Sequence, residues 1–96
     1  MSDYLVRIEI TLPPDMNEEE RRSLLEAEQA VGRQLVERGV IAAIWRLPGR
    51  RANVGIWHAS DATELHGLIS SLPLLPWMKV EVTELAMHDL MSKMDG

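Results

Sequence analysis

The chain has 96 residues, of which 46% are hydrophobic and 26% charged, and its formal net charge is -5 at pH 7. This length predicts a single domain over residues 1–96, and the acidic balance argues against nucleic acid as a partner, because phosphate binding needs an excess of Lys and Arg. The chain has no cysteine, no stretch near the roughly 20 apolar residues of a membrane span and no signal-peptide pattern at its start, so we expect a cytoplasmic protein without disulfides or a membrane partner.

The first half of the chain predicts a strand followed by a long helix. Residues 4–12 alternate between apolar and polar side chains, as in a half-buried strand. The helix is predicted to begin after Asn17, a suitable N-cap, and to run to about Arg38, with Gly39 ending it. Its apolar positions at helical spacing are Leu24, Leu25, Ala27, Val31 and Leu35.

The second half predicts a hairpin, a second helix and a last strand. Residues 40–46 and 52–59 are strand-like and are joined by the turn "LPGR". Residues 61–71 predict the second helix, and "PLLPW" is a rigid connection to an alternating strand over residues 78–85. The remaining residues, 86–96, have no clear period and are predicted to form a short helix or an arm.

The predicted order is strand, helix, strand, strand, helix, strand. This order is typical of the α+β class with the ferredoxin-like βαββαβ topology, in which one antiparallel sheet carries both helices on one face. The other face is expected to present Ile41, Ala43 and Trp45, or their alternates, beside Arg7 and Glu9. A face of such mixed polarity predicts pairing with a second subunit, sheet against sheet, as a dimeric α+β barrel.

One carboxylate interrupts the apolar stripe of the first helix. Glu28 shares a helical face with Leu24, Val31 and Leu35. Either it lies at the edge of the stripe and extends into water, or it faces a cavity between helix and sheet. In the second case desolvation would raise its pKa and make it a usable base near neutral pH.

Arginines surround the Pro-Gly turn of the hairpin. Arg50 and Arg51 are in the turn, where charged side chains are most often solvated. Arg46 ends a strand directly after Trp45, so the sheet fixes its position, and a planar guanidinium there can bind a carboxylate through two hydrogen bonds. The tryptophans are most often core or interface residues, although they could also form the wall of a pocket for a flat ring.

The histidines are candidates without a decisive pattern. His66 lies beside Leu65 and Ile69 on the second helix, where it is either a catalyst or a packed or surface side chain; His58 and His88 are equally open. No two histidines have metal-ligand spacing on one element, so we expect no metal site. Phosphate-binding glycine loops, dinucleotide fingerprints and nucleophile elbows are also missing from the sequence.

Several segments, taken in order, resemble the muconolactone Δ-isomerase family. They are "YLVRIEITLPPDM", "EAEQ" around Glu28, "GVIAAIWRLPG", "AN" at residues 52–53, "ELH" ending at His66, and "SLPLLPWMKVEV". The resemblance extends over residues 4–88. It implies a ferredoxin-like subunit, a homo-oligomer built from dimers and typically a decamer, and a reaction without a cofactor, in the catechol branch of the β-ketoadipate pathway of aromatic hydrocarbon catabolism.

The reaction that the resemblance implies is a proton shift, from (4S)-muconolactone to the 3-oxoadipate enol-lactone. It requires a base, a site for the substrate carboxylate and stabilisation of an enolate oxygen. The resemblance suggests Glu28 and His66 as the catalytic residues. The motif match together with the chemistry of the reaction suggests as substrate-binding residues Arg46, Asn53, Arg51 and Trp45.

The sequence departs from the family pattern around the hairpin. Ile41, Ala42 and Ala43 stand where the family has a Trp-Arg-His-type run, Arg51 replaces an aromatic residue, and "WHA" at residues 57–59 replaces a Phe-Asp-Val-like run. These departures keep two alternatives open. One is dehalogenation of a chlorinated muconolactone, and the other is a non-catalytic protein of the same fold that binds a small acid.

Overall fold

The strands and helices follow the predicted order. The computed structural model describes residues 1–94. The strands are β1 (Ser2–Ile10), β2 (Ile41–Arg46), β3 (Ala52–Ala59) and β4 (Met78–Leu85). The helices are α1 (Glu18–Glu37), α2 (Ala62–Ser70) and α3 (Asp89–Met94), with a 3₁₀ helix over Leu75–Trp77. The C-terminal segment is thus a short helix as far as residue 94, and the rest of the predicted arm lies outside the described residues.

Helix α1 begins and ends where local chemistry predicts. The side chain of Asn17 accepts hydrogen bonds from the backbone N–H groups of Glu19 and Glu20, at 2.8 and 3.4 Å, and so satisfies donors that have no partner within the helix. Beyond the other end, Gly39 has a φ of 77°, a left-handed conformation that glycine adopts without strain.

The four strands form one antiparallel sheet in the order β2-β3-β1-β4. Helices α1 and α2 cover one face, as the ferredoxin-like topology requires. Their Leu35, Leu65 and Ile69 pack in a core with Tyr4, Val6, Ile8 and Trp57 of the two central strands. The predicted fold class is confirmed in these features.

The prediction that Ile41, Ala43 and Trp45 share the uncovered face is wrong for Ile41. The pairing of β2 with β3 shifts register between Ile41 and Ala43, and this irregularity interrupts the alternation of side chains. Ile41 consequently enters the core, whereas Ala43 and Trp45 remain on the other face. Gly55 permits the close strand approach here, because a Cβ at this position would lie 2.7 Å from the Ala43 carbonyl oxygen.

The uncovered sheet face, termed the open face below, combines apolar and charged residues. Leu5, Trp45 and Leu85 are exposed on it, and His58 of β3 contacts the carboxylate of Asp3 on β1. The open face therefore presents a mixed surface in the single subunit.

Within the described range 1–94, no helix is long and apolar enough to cross a membrane.

Candidate active site

A cavity of about 780 Å³ lies between α1 and the β2–β3 hairpin. One wall comes from α1 and from the segment that follows α2, and the opposite wall comes from the hairpin. The residues that contribute to it include Ile10, Leu25, Glu28, Gln29, Ile44, Trp45, Arg46, Gly49, Arg50, Arg51, Ala52, Asn53 and Leu74. A single acidic residue thus faces several arginines across the cavity.

Glu28 is the only acid among these lining residues, and it is partly buried. Its Oε1 atom accepts a hydrogen bond from the backbone N–H of Leu74 at 3.0 Å. Burial raises the pKa of the Glu28 carboxyl, and the hydrogen bond from Leu74 opposes that rise by favouring the ionised form. The other carboxylate oxygen accepts no hydrogen bond from residues 1–94. Glu28 therefore faces the cavity, the second of the two positions that its place on the stripe allowed.

Arg46 and Asn53 enter the cavity side by side. They are directly paired across β2 and β3, and Asn53 in turn is paired with Ile8, which faces the helices. Both side chains therefore lie on the helix-covered side of the sheet, because directly paired residues share a face. The Oδ1 atom of Asn53 is buried and has no hydrogen-bond partner among the described residues, so the hydrogen-bonding capacity of this oxygen is unused within them.

The remaining arginines differ in their partners. Arg50 forms an ion pair with Glu9, with 3.9 Å between Nη1 and Oε2, whereas neither Arg46 nor Arg51 has an ion-pair partner within residues 1–94. Two guanidinium groups at the cavity are therefore available to an anion. Trp45 also lines the cavity, but the register places its side chain on the open face, opposite Val54.

The structure does not bring His66 to this cavity. His66 lies on the exposed side of α2, while its neighbour Leu65 is buried. Sequence reasoning missed Gln29 and Leu74. Gln29 directly follows Glu28 in "EAEQ" and could have been found from that adjacency, whereas no local signal marks Leu74. In the described part of the chain, no group of three or more His, Asp or Glu side chains is placed to hold a metal ion.

The model of the family described as muconolactone delta-isomerase matches residues 2–90. The chain belongs to this family. A muconolactone delta-isomerase of Cupriavidus pinatubonensis is 40% identical over 85 residues, which cover 88% of this chain and 92% of the relative. For one from Rhodococcus opacus the identity is 32% over 88 residues, or 92% of this chain and 95% of that protein. The predicted resemblance is thus confirmed, and the chain is an isomerase.

Structural comparison leads to the same family. A crystal structure of muconolactone isomerase superposes with a TM-score of 0.85 at 29% identity, over 91% of each chain. The likeness therefore extends over nearly the whole chain.

Proposed function

We propose that the chain converts muconolactone, or a close analogue, into the 3-oxoadipate enol-lactone. The observation that supports this most strongly is the placement of Glu28. A partly buried carboxylate with a raised pKa faces the cavity, and two guanidinium groups without an ion-pair partner in residues 1–94 stand opposite it. A base and an anion site in one cavity are the two features that proton transfer on a small carboxylate requires.

The proposed path moves one proton between two carbons of the lactone. The ionised Glu28 removes the proton from the ring carbon that bears the carboxymethyl group. The electron pair of the broken C–H bond enters the conjugated lactone and gives a dienolate. The protonated Glu28 then returns the proton to the carbon next to the lactone carbonyl, so that the double bond has shifted and the atoms balance.

The hairpin wall is suited to the two negative charges of the dienolate. We assign the substrate carboxylate to Arg46, because its position is set by the sheet and a guanidinium can hold a carboxylate in a bidentate pair. Arg51 and Asn53 remain for the lactone oxygen that becomes negative in the transition state. These roles leave Glu28 to move the proton, with His66 outside the cavity of its own subunit.

We also propose a homo-oligomer in which the open face is buried against a second copy. Leu5 and Trp45 are exposed on that face at 36% and 57%. Further exposed apolar residues, Met87, Leu90 and Met91, follow in the C-terminal segment. Sedimentation of the purified protein tests this: a monomer at micromolar concentration would contradict it, and Leu5→Asp should weaken the association.

Incubation with (4S)-muconolactone tests the catalytic proposal directly. Formation of the enol-lactone, followed by ultraviolet absorbance and NMR, is the expected result. Exchange of solvent deuterium into the product would report the proton transfer. A chlorinated muconolactone, assayed in parallel for chloride release, distinguishes a dehalogenase, and binding of either lactone without turnover would indicate a non-catalytic protein.

A further inference from the structure

A backbone hydrogen bond joins two parts of the chain that are distant in sequence. The N–H of Leu74 donates to Glu28 at 3.0 Å across a separation of 46 residues. Leu74 is fully buried, at 0% exposure, and its N–H takes no part in a helix or strand ladder. A buried donor that lost this acceptor would be left without a partner, which makes the contact costly to break.

The segment that carries this N–H is held from both sides. Pro73 and Pro76 restrict the backbone on either side of Leu74. The Leu74 carbonyl accepts from the N–H of Trp77 at 2.9 Å, and the Trp77 carbonyl accepts from the N–H of Thr11, also at 2.9 Å. The donor is therefore fixed relative to the end of β1 and does not depend on the rotamer of a side chain.

We infer that the backbone N–H of Leu74 positions Glu28 for proton transfer, holding one carboxylate oxygen so that the other faces the lactone. This inference rests on the proposed function and adds to it a group that sets the orientation of the base. A Glu side chain has several rotamers, and most of them do not direct the carboxylate at the substrate. Holding one oxygen lowers the number of these unproductive rotamers and so the entropy lost when the proton is transferred. Leu74 acts through Glu28 and is a positioning residue.

Replacing the amide N–H of Leu74 by an ester oxygen removes the donor while the leucine side chain remains. The chain is short enough for assembly from synthetic segments, which also allows a ¹³C label on the Glu28 carboxyl alone. The matched control is an ester at Leu75, whose N–H donates to the Leu72 carbonyl at 3.1 Å. This control is the harsher change, because it also weakens the Leu74 carbonyl as the acceptor for Trp77.

The first measurement is the NMR titration of the labelled carboxyl without substrate. We expect its midpoint to move to higher pH in the Leu74 ester, because the ionised carboxylate has lost a donor, and to move clearly less in the Leu75 ester, which keeps the Leu74 N–H. Arg46, Arg50 and Arg51 face Glu28 across the cavity and are the same in every variant, so their influence cancels. An unchanged midpoint in the Leu74 ester, or equal shifts in both, would overturn the inference.

The second measurement is turnover of muconolactone. In the Leu74 ester kcat should fall, and the acid limb of the pH profile of kcat should shift to higher pH. KM should change little, since the lactone carboxylate is bound elsewhere. Pro73→Ala, which loosens the segment but keeps the N–H, should give smaller changes of the same sign and provides the test if the ester does not fold. If neither the unmodified protein nor any variant isomerises muconolactone but the titration midpoint still shifts in the Leu74 ester, the proposed function is wrong, whereas the contact between Leu74 and Glu28 is supported.

Discussion

The two walls of the cavity differ in the burial and the hydrogen-bond partners of their charged groups. On the helical wall, Glu28 is partly buried and fixed by a backbone N–H. On the hairpin wall, Arg46 and Arg51 are exposed and have no ion-pair partner within residues 1–94. Removing a proton from carbon requires a base of fixed direction and altered pKa, whereas capturing an anion from water requires charge that solvent can reach. The burial of the charged group on each wall therefore corresponds to its proposed task.

The comparison predicts the largest loss of activity at the helical wall. Glu28→Gln retains the size of the side chain and an oxygen that can accept from Leu74, but it cannot take a proton. Turnover should fall by about 10²–10⁴-fold, the usual contribution of a positioned general base. Steady-state kinetics would measure this, with circular dichroism and sedimentation as controls for fold and assembly. Turnover within a few-fold of the unmodified protein would exclude Glu28 as the base.

At the hairpin wall the main effect should be on binding. Arg46→Lys keeps the charge but loses the bidentate geometry. Hydrogen bonds to charged groups contribute roughly 1.5–3 kcal/mol, so KM should rise about 10- to 150-fold while kcat changes less. Unaltered kinetics would show that Arg46 is a solvated residue without a role in binding.

Arg50 and Arg51 are adjacent and provide a matched pair. Arg51→Gln should lower kcat/KM by roughly tenfold, near the lower end for hydrogen bonds to charged groups. Arg50→Gln should change it less than about fivefold, because Arg50 is already paired with Glu9 and surface pairs contribute little. A larger loss of kcat/KM in Arg50→Gln than in Arg51→Gln would mean that Arg50 leaves Glu9 and itself binds the substrate.

The smallest effect concerns stability. Because burial raises the pKa of Glu28 in the folded protein, the folded state binds a proton more tightly than the unfolded chain. At pH values between the pKa of Glu28 in the unfolded chain and its raised pKa in the folded protein, the contribution of Glu28 to stability therefore decreases as pH rises. Glu28→Gln should remove this decrease, and its Tm at neutral pH should equal or slightly exceed that of the unmodified protein. A clearly lower Tm, by calorimetry, would contradict the assigned cause.

The sequence predicted best those features that neighbouring residues determine. Asn17 and Gly39 mark the ends of α1 to within a residue, because capping and left-handed backbone depend on local chemistry. The place of Ile41 could not be predicted from alternation, since the register shift in β2 arises from how that strand pairs with β3.

The site was predictable in part for the same reason. Helical spacing put Glu28 on the stripe that faces the sheet, and the hairpin put Arg46 at a strand end. The partner of Glu28 is a backbone group 46 residues away, and no local pattern reveals such a contact. His66 directly follows the buried Leu65 and lies one turn before the buried Ile69, so helical spacing placed it at the edge of the apolar stripe and left its direction open.

The three tryptophans occupy distinct environments, and this gives the protein its own optical reporters. Trp57 is 1% exposed in the core, Trp45 is 57% exposed on the open face, and Trp77 is partly buried in the segment that carries the Leu74 N–H. In the dissociated subunit, acrylamide should quench Trp45 first and Trp57 last, and association through the open face should protect Trp45. Single-tryptophan variants would therefore follow subunit association, movement of the Leu74 segment and global unfolding separately, by intrinsic fluorescence and without an added label.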